Sequence, residues 1–356
     1  MLPAIGYAAF SPTTPLAPWS FTRRAPGARD VVIDILYCGI CHSDLHSVRG
    51  EWGPKGYPLV PGHEIVGRVR ETGAEATRFA PGDLVGVGCM VDACRDCPSC
   101  AQGLEQYCEG GFTDTYASTE KETGRPTQGG YSTAIVVDEH FVLRIPAGLD
   151  PAAAAPLLCA GITTYSPLRH WAVGPGRRVG VVGIGGLGHM AVKLARAMGA
   201  TVTVLTTSTA KVADAERLGA HQVIVTSAPG ALTAYRNTLD LIIDTVGAPH
   251  DLDAEMQLLR LDGTLVLLGG SPQPHPAPHA FTFIGNRRSL AGSLIGGIAE
   301  TQAMLDFCAE HGITSDIELI QPSAINAAYE RMLVGDVRYR FVIDVQAMNA
   351  PVSDQQ

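Results

Sequence analysis

Arg178-Val179-Gly180-Val181-Val182-Gly183-Ile184-Gly185-Gly186-Leu187-Gly188-His189-Met190 runs from an apolar, β-branched stretch through a glycine cluster into a helix-forming one. Gly183, Gly185 and Gly188 fit G-x-G-x-x-G in the context that motif needs, between a predicted strand at 178–183 and a predicted helix at 189–198. The first glycine permits the tight turn, the second lets a pyrophosphate approach the backbone, and the third lets helix and strand pack closely. Gly186 and Leu187 complete the loop, and the helix N-terminus offers its free N–H groups to phosphates. Alone, the triplet would also describe a tight strand–helix turn. After a buried strand and before a helix it reads as a dinucleotide site.

The pattern continues outward from this turn. Residues 201–205 read as a second strand, 210–218 as a helix, and 239–245 and 264–268 as further strands. Short apolar strands alternating with helices indicate βαβ units, hence an α/β fold with a doubly wound parallel sheet, placed at 152–290. Residues 1–151 have a different texture. They are rich in Gly, Pro, His and Cys, with short β-like runs at 31–36 and 134–137, as expected of small β elements joined by long functional loops. Beyond 290, helices are expected at 299–311 and 323–333 and a closing strand at 339–345, and 351–356 is the one stretch expected to be disordered. There is no internal repeat.

Cofactor choice is written at the end of the second strand. An NAD enzyme needs Asp or Glu there to hold both ribose hydroxyls. The segment is Leu205-Thr206-Thr207-Ser208-Thr209-Ala210-Lys211, and no acidic residue occurs between Gly183 and Asp214. A carboxylate would repel a 2′-phosphate, whereas hydroxyls and an ammonium bind it. Thr207, Ser208 and Lys211 are therefore the candidate phosphate ligands, and NADP(H) is the expected cofactor. Ser208 could equally cap the following helix, a role compatible with phosphate binding.

Composition narrows the rest. The 356 residues suit two domains, and 46% hydrophobic against 17% charged residues rule out a disordered chain. The net charge of −9, with no basic cluster longer than a pair such as Arg177-Arg178, argues against nucleic acid or anionic membrane as the main partner. The start lacks a basic region and is broken by Pro3, Pro12, Pro15 and Pro18, so it makes a poor signal peptide. The longest apolar stretch, 179–192, is too glycine-rich and too short to span a bilayer. A soluble protein of a reducing, cytoplasmic compartment is expected, where cysteines serve metals or catalysis more often than crosslinks.

There are nine cysteines, an odd number that forbids complete disulfide pairing within the chain. Cys94, Cys97, Cys100 and Cys108 give C-x2-C-x2-C-x7-C in a loop-like stretch. Four thiolates so spaced can close a tetrahedron around zinc and leave no open position, which is a structural site. A second set is dispersed: Cys41-His42-Ser43-Asp44-Leu45-His46, Gly62-His63-Glu64, and Cys159. Here spacing does not select the ligands. Cys159 could be a core thiol, and Cys38 with Cys41 forms a C-x-x-C that could mimic a redox pair.

These segments occur in an order that resembles the zinc-dependent medium-chain alcohol dehydrogenases, and within them the cinnamyl-alcohol-dehydrogenase branch with its bacterial NADP-dependent aldehyde reductases. The intervening text (GEWG, YPLVPGHEIVG, GDLVGVG, LLCAGITTYSPL, GIGGLGHMAVK, RYRFVID) extends the likeness over nearly the whole chain. The resemblance implies a GroES-like β-rich catalytic domain at 1–151 and 291–356 with the Rossmann domain inserted at 152–290, and an active cleft at their junction. It implies Cys41, His63 and Cys159 as catalytic zinc ligands, Glu64 as a transient one, and Asp44 as the acid orienting the zinc-bound histidine. Ser43 and His46 match the family's proton relay, and Arg340 its contact to the cofactor pyrophosphate. Cys38, Cys89 and Cys308 remain as non-ligands.

Two zinc ions per chain, NADP(H) and a homodimer through the Rossmann edge strands are implied. The expected reaction interconverts aldehydes, aromatic and medium aliphatic, with primary alcohols. Because cytosolic NADPH is kept reduced, aldehyde reduction is the expected direction. Trp52 is a candidate pocket wall or a loop anchor. The rival readings are a polyol or secondary-alcohol dehydrogenase of the same superfamily and a non-catalytic zinc-bearing NADPH-binding protein.

Overall fold

Val31, Val32, Ile33 and Ile35 are all buried; successive side chains of a strand point to opposite faces, so both faces are covered here. The computed structural model describes residues 1–349, and the stretch expected to be disordered, 351–356, lies outside them. The chain divides into two units, Met1–Cys159 with Gly296–Gln356, and Ala160–Ile295.

The first unit begins with a hairpin, β1 (Leu2–Ala8) and β2 (Ala17–Arg23). There follow β3 (Asp30–Gly39), β4 (Ile65–Thr72), β5 (Leu84–Val87), β6 (Met90–Asp92), β7 (Thr113–Asp114), β8 (Ala134–Asp138) and β9 (Leu143–Arg144). β3 is central: β4 and β8 pair with it antiparallel. The segment from Cys94 to Cys108 holds only two single-turn helices, Pro98–Ala101 and Glu105–Tyr107, and lacks an apolar core of its own. Pro151–Ala154 and Ala155–Leu158 are helical turns that belong to this unit, so it runs past the expected boundary at 151.

The second unit contains β10 (Arg178–Val182), β11 (Thr201–Thr206), β12 (Gln222–Val225), β13 (Leu239–Asp244), β14 (Leu259–Leu267) and β15 (Ser289–Gly292). They form one parallel sheet in the order β12-β11-β10-β13-β14-β15, the doubly wound arrangement. A parallel sheet is covered on both faces, which is why β10 and β13 read as continuous apolar runs. The helix Gly188–Ala197 buries Met190, Val192 and Leu194 completely, roughly 1.5–3 kcal/mol for each side chain. The helix expected at 210–218 starts as a 3-10 turn, Thr209–Lys211, and continues as Val212–Leu218 until Gly219 takes the left-handed conformation at φ 112°. β12 and β15 are only four residues each and were not expected. β15 extends past the expected boundary at 290.

After Ile295 the chain returns to the first unit. The helix Ile298–Glu310 leads to β16 (Ile317–Ile320), the helix Ile325–Leu333 and β17 (Arg340–Asp344). β17 pairs antiparallel with β3, Ile343 facing Cys38 and Val342 facing Gly39. The resulting seven-stranded sheet has the order β16-β17-β3-β4-β5-β9, with β8 also on β3. The C-terminal segment thus completes the N-terminal sheet. No helix among the described residues is long and apolar enough to cross a membrane.

Candidate active site

The site is built around Asp44, which is fully buried. The helix His42–Val48 starts as the chain leaves β3. Asp44 Oδ2 accepts the Cys41 N–H at 2.9 Å and the Tyr131 hydroxyl at 3.0 Å. Its Oδ1 accepts the Gly62 N–H at 3.1 Å and lies 3.1 Å from His63 Nδ1. One saturated carboxylate therefore fixes both the 41–44 turn and the 62–63 loop. Its contact at Nδ1 orients the His63 ring and leaves Nε2 for another partner.

Cys41, His63, Glu64 and Cys159 come together with their donor atoms mutually within 4.8 Å. Cys41 Sγ and Cys159 Sγ are 3.9 Å apart, far beyond a disulfide bond of about 2.05 Å. Two sulfurs held about 2.3 Å from a tetrahedral zinc are about 3.8 Å apart, so the pair has the spacing a zinc ion needs. The Cys159 contact pulls the Cys41 thiol well below its usual range, and Arg340 and His63 add to this. The same contact pushes Cys159 well up. A cation would accept both as thiolates.

Glu64 is fully buried, and its Oε1 pairs with Arg340 Nη2. Its Oε2 has no hydrogen-bond partner. A Cβ at Gly39 would overlap that oxygen, so the absence of a side chain at 39 makes room for the carboxylate. Burial pushes Glu64 up to about 7, opposed by the Arg340 charge. Arg340 was expected at the cofactor pyrophosphate. In the structure its Nη2 lies on Glu64, and the side chain is 5% exposed.

Ser43 Oγ is 3.1 Å from Cys41 Sγ. His46 Nδ1 bonds Glu51, and its ring stacks on Trp52 with centroids 4.8 Å apart. Trp52, 44% exposed, therefore covers His46. Glu51 was not anticipated. It lies five residues beyond His46, in the turn closed by its own N–H to the His46 carbonyl at 2.9 Å, so an acid at that spacing was the available signal.

The second donor set is Cys94, Cys97, Cys100 and Cys108, again mutually within 4.8 Å. Cys94 and Cys100 sulfurs are 3.8 Å apart. Backbone N–H groups of Cys100 and Glu109 point at Cys97 Sγ, each at 3.5 Å, and lower that thiol to about 6. The four-thiolate chemistry fits a closed zinc site. None of the nine cysteines is in a disulfide. Cys38, Cys89 and Cys308 lie outside both donor sets.

Within the second unit, Gly183 turns at φ 84°, and a Cβ at Gly188 would overlap the Gly183 carbonyl. A Cβ at Gly185 would meet nothing within 4 Å, so space for a ligand lies open there. Lys211 Nζ donates to the Ile184 carbonyl at 2.9 Å, which brings the ammonium to the glycine turn. Thr207 is exposed and Ser208 half-buried at the end of β11. Ser208 occupies the N-cap position, but its side chain makes no capping bond. Asp244, His250 and Glu255 also converge within 4.8 Å, a cluster sequence reasoning missed.

Residues 27–147 match the alcohol dehydrogenase GroES-like domain and residues 186–310 the zinc-binding dehydrogenase family. The chain is 58% identical to the NADP-dependent alcohol dehydrogenase C of Mycobacterium bovis, over 96% of this chain and 98% of that one. It is 58% identical to the aldehyde reductase YahK of Escherichia coli, over 94% and 96% of the two chains. Among solved structures, a cinnamyl alcohol dehydrogenase of Sorghum bicolor superposes with a TM-score of 0.94 at 46% identity, over 99% of both chains. A Helicobacter pylori enzyme of that type, complexed with NADP(H), gives 0.91 at 43%, over 97% and 99%. A GroES-like unit joined to a Rossmann unit, with two zinc-competent donor sets, defines the class as a zinc-type dehydrogenase. The chain belongs to the zinc-dependent alcohol dehydrogenase family, in its cinnamyl-alcohol-dehydrogenase branch.

Proposed function

We propose that the protein is an NADPH- and zinc-dependent alcohol dehydrogenase that reduces aromatic and medium aliphatic aldehydes to primary alcohols. The observation that carries this reading is the convergence of two thiols, an imidazole and a carboxylate at Cys41, Cys159, His63 and Glu64. Cys41, His63 and Cys159 hold the catalytic zinc, and Cys94, Cys97, Cys100 and Cys108 a structural one. Bound there, the catalytic zinc supplies Lewis acidity toward a carbonyl oxygen, and bound NADPH supplies the hydride. Asp44 orients His63. Ser43 passes a proton to the substrate oxygen, and His46, backed by Glu51, replaces it from solvent. Glu64, with Arg340 on one oxygen, has its other oxygen free of hydrogen bonds, so it would be available as a transient further ligand to a metal held by the other three.

The glycine turn at 183–188 admits the pyrophosphate, and Thr207, Ser208 and Lys211 bind the 2′-phosphate. A cytoplasmic homodimer fits the remaining features. The cysteines suit a reducing compartment. β15 is a sheet edge, flanked by the exposed apolar side chains Phe281, Ile284, Leu290 and Leu294, and such edges are commonly covered by a partner. The test is a panel of aldehydes with NADPH and NADH, read by loss of nicotinamide absorbance. Benzaldehyde and cinnamaldehyde should be reduced with NADPH in preference to NADH. A chain that left NADPH untouched but turned over a polyol or ketone with NAD(H) would overturn both cofactor and substrate assignments.

A further inference from the structure

Asp244, the last residue of β13, is fully buried and lies in register with Val182 at the end of β10. These two strands flank the point where the sheet order reverses, since β11 lies on one side of them and β14 on the other. A dinucleotide lies across the carboxyl ends of the strands at such a point. The 2′-phosphate determinants sit at the end of β11 and the pyrophosphate turn follows β10. The nicotinamide half therefore falls toward the end of β13.

The chain leaving β13 lies against the glycine turn. Thr245 Oγ1 donates to the Val182 carbonyl at 2.7 Å. A Cβ at Gly183 would come within 3.2 Å of that hydroxyl and 3.1 Å of Val246 Cγ2. The segment then returns to its own strand through His250. Nε2 of His250 lies 3.1 Å from Asp244 Oδ2 and 3.3 Å from Glu255 Oε2 on the helix Leu252–Met256. Its Nδ1 is 2.8 Å from the Ala248 carbonyl, so that nitrogen carries a proton. His275 packs edge-on at 4.9 Å, with its Nδ1 3.4 Å from the His250 N–H.

Asp244 Oδ2, Glu255 Oε2 and His250 Nε2 all lack a conventional hydrogen bond among the described residues, so what joins them is close charge contact at 3.1 and 3.3 Å. The imidazole is the cation between them. Contacts to Asp244 first and Glu255 second push His250 up to about 11. Without it, two buried carboxylates would face each other uncompensated, which is costly.

We propose that His250 is a positioning residue for the nicotinamide half of the cofactor: as an imidazolium bridging Asp244 and Glu255, it holds 245–249 as a wall of the crevice. This rests on the proposed NADP(H)-dependent function. Removing the bridge lets that wall open while the end of β11 is left as it was.

The experiment compares binding of NADPH with binding of 2′,5′-ADP, which carries only the adenosine half. His250→Gln should weaken NADPH roughly tenfold or more and leave 2′,5′-ADP within about twofold. Glu255→Gln in the His250→Gln background, which removes the leftover charge conflict, should restore most NADPH affinity. Equal loss of both ligands would mark a general folding defect and overturn the positioning role. Loss of a metal equivalent in His250→Gln would show that the triad holds a metal instead, and would also overturn it. Unchanged NADPH binding in His250→Gln sinks the role of His250 alone. A wild-type chain that binds neither NADPH nor 2′,5′-ADP sinks the dehydrogenase reading beneath it.

Discussion

Glu64 and Arg340 stand 276 positions apart in the chain and form one buried ion pair. Breaking such a pair from one side costs up to about 3–5 kcal/mol. Without Arg340, which opposes the upward push on Glu64, the carboxyl takes a proton near neutrality, so the cost grows as pH rises. Arg340→Met should therefore lower the urea midpoint with little change in slope. The double variant Glu64→Gln with Arg340→Met should recover most of the loss. A single variant as stable as wild type would show that the pair carries no such strain.

The relay can be separated from the metal. Ser43→Ala should lower kcat roughly a hundredfold for aldehyde reduction, at the lower end of the about 10²–10⁴ that positioned proton transfer supplies, with zinc content unchanged. Glu51→Gln, which alters only the His46 partner, should give a smaller loss in the same direction. Full activity in Ser43→Ala would remove the relay from the mechanism.

Cofactor choice should move with charge at the end of β11. Lys211→Ala should raise the KM for NADPH about tenfold, equivalent to about 1.4 kcal/mol, and leave the KM for NADH nearly constant. Thr207→Asp should turn the preference toward NADH, because a carboxylate repels the 2′-phosphate. Steady-state kinetics with both cofactors decide it.

The four-cysteine lobe is tied to the returning chain through Glu105, whose Oε2 accepts the Ile298 N–H at 3.1 Å while Oε1 lies 3.3 Å from His140 Nε2. Burial pushes its carboxyl up, but the His140 and Ile298 contacts prevail and hold it below the usual range. A depressed folded value stabilises fully above the unfolded one, about 4.3, and that contribution is lost as pH falls through the folded value. Glu105→Gln should thus cost about 1 kcal/mol near neutrality, with the gap to wild type closing below about pH 4. Denaturant titrations at the two pH values test the sign. Metal analysis should find two zinc ions per wild-type chain and one in Cys100→Ser, which should also melt earlier.

What could be read before the structure was chiefly local. The turn at 183–188 and the quartet 94–108 declare themselves because their residues are near neighbours in sequence. So does the missing acid after Leu205. His63 and Cys159 meet Cys41 only through long-range pairing of strands and loops, so spacing was silent about them and family likeness had to supply the assignment. The Glu64 contact of Arg340 was likewise out of reach of spacing, since 276 positions separate the two residues. The Asp244–His250–Glu255 cluster was invisible for a related reason, since one acid ends a strand, the other sits in a helix, and the histidine lies in the loop between. Four-residue strands such as Gln222–Val225 and Ser289–Gly292 are too short for their periodicity to stand out.

The pairing of β17 with β3 sets an order of assembly during synthesis. Residues 160–295 are contiguous and can fold as soon as they have left the ribosome, whereas the unit begun first must wait for residues 340–344 to complete its sheet. Until then Glu64 lacks Arg340, and the strand carrying Cys38 and Gly39 has an open edge. On the ribosome the nucleotide unit, although it follows the start of the other in sequence, can therefore be finished first.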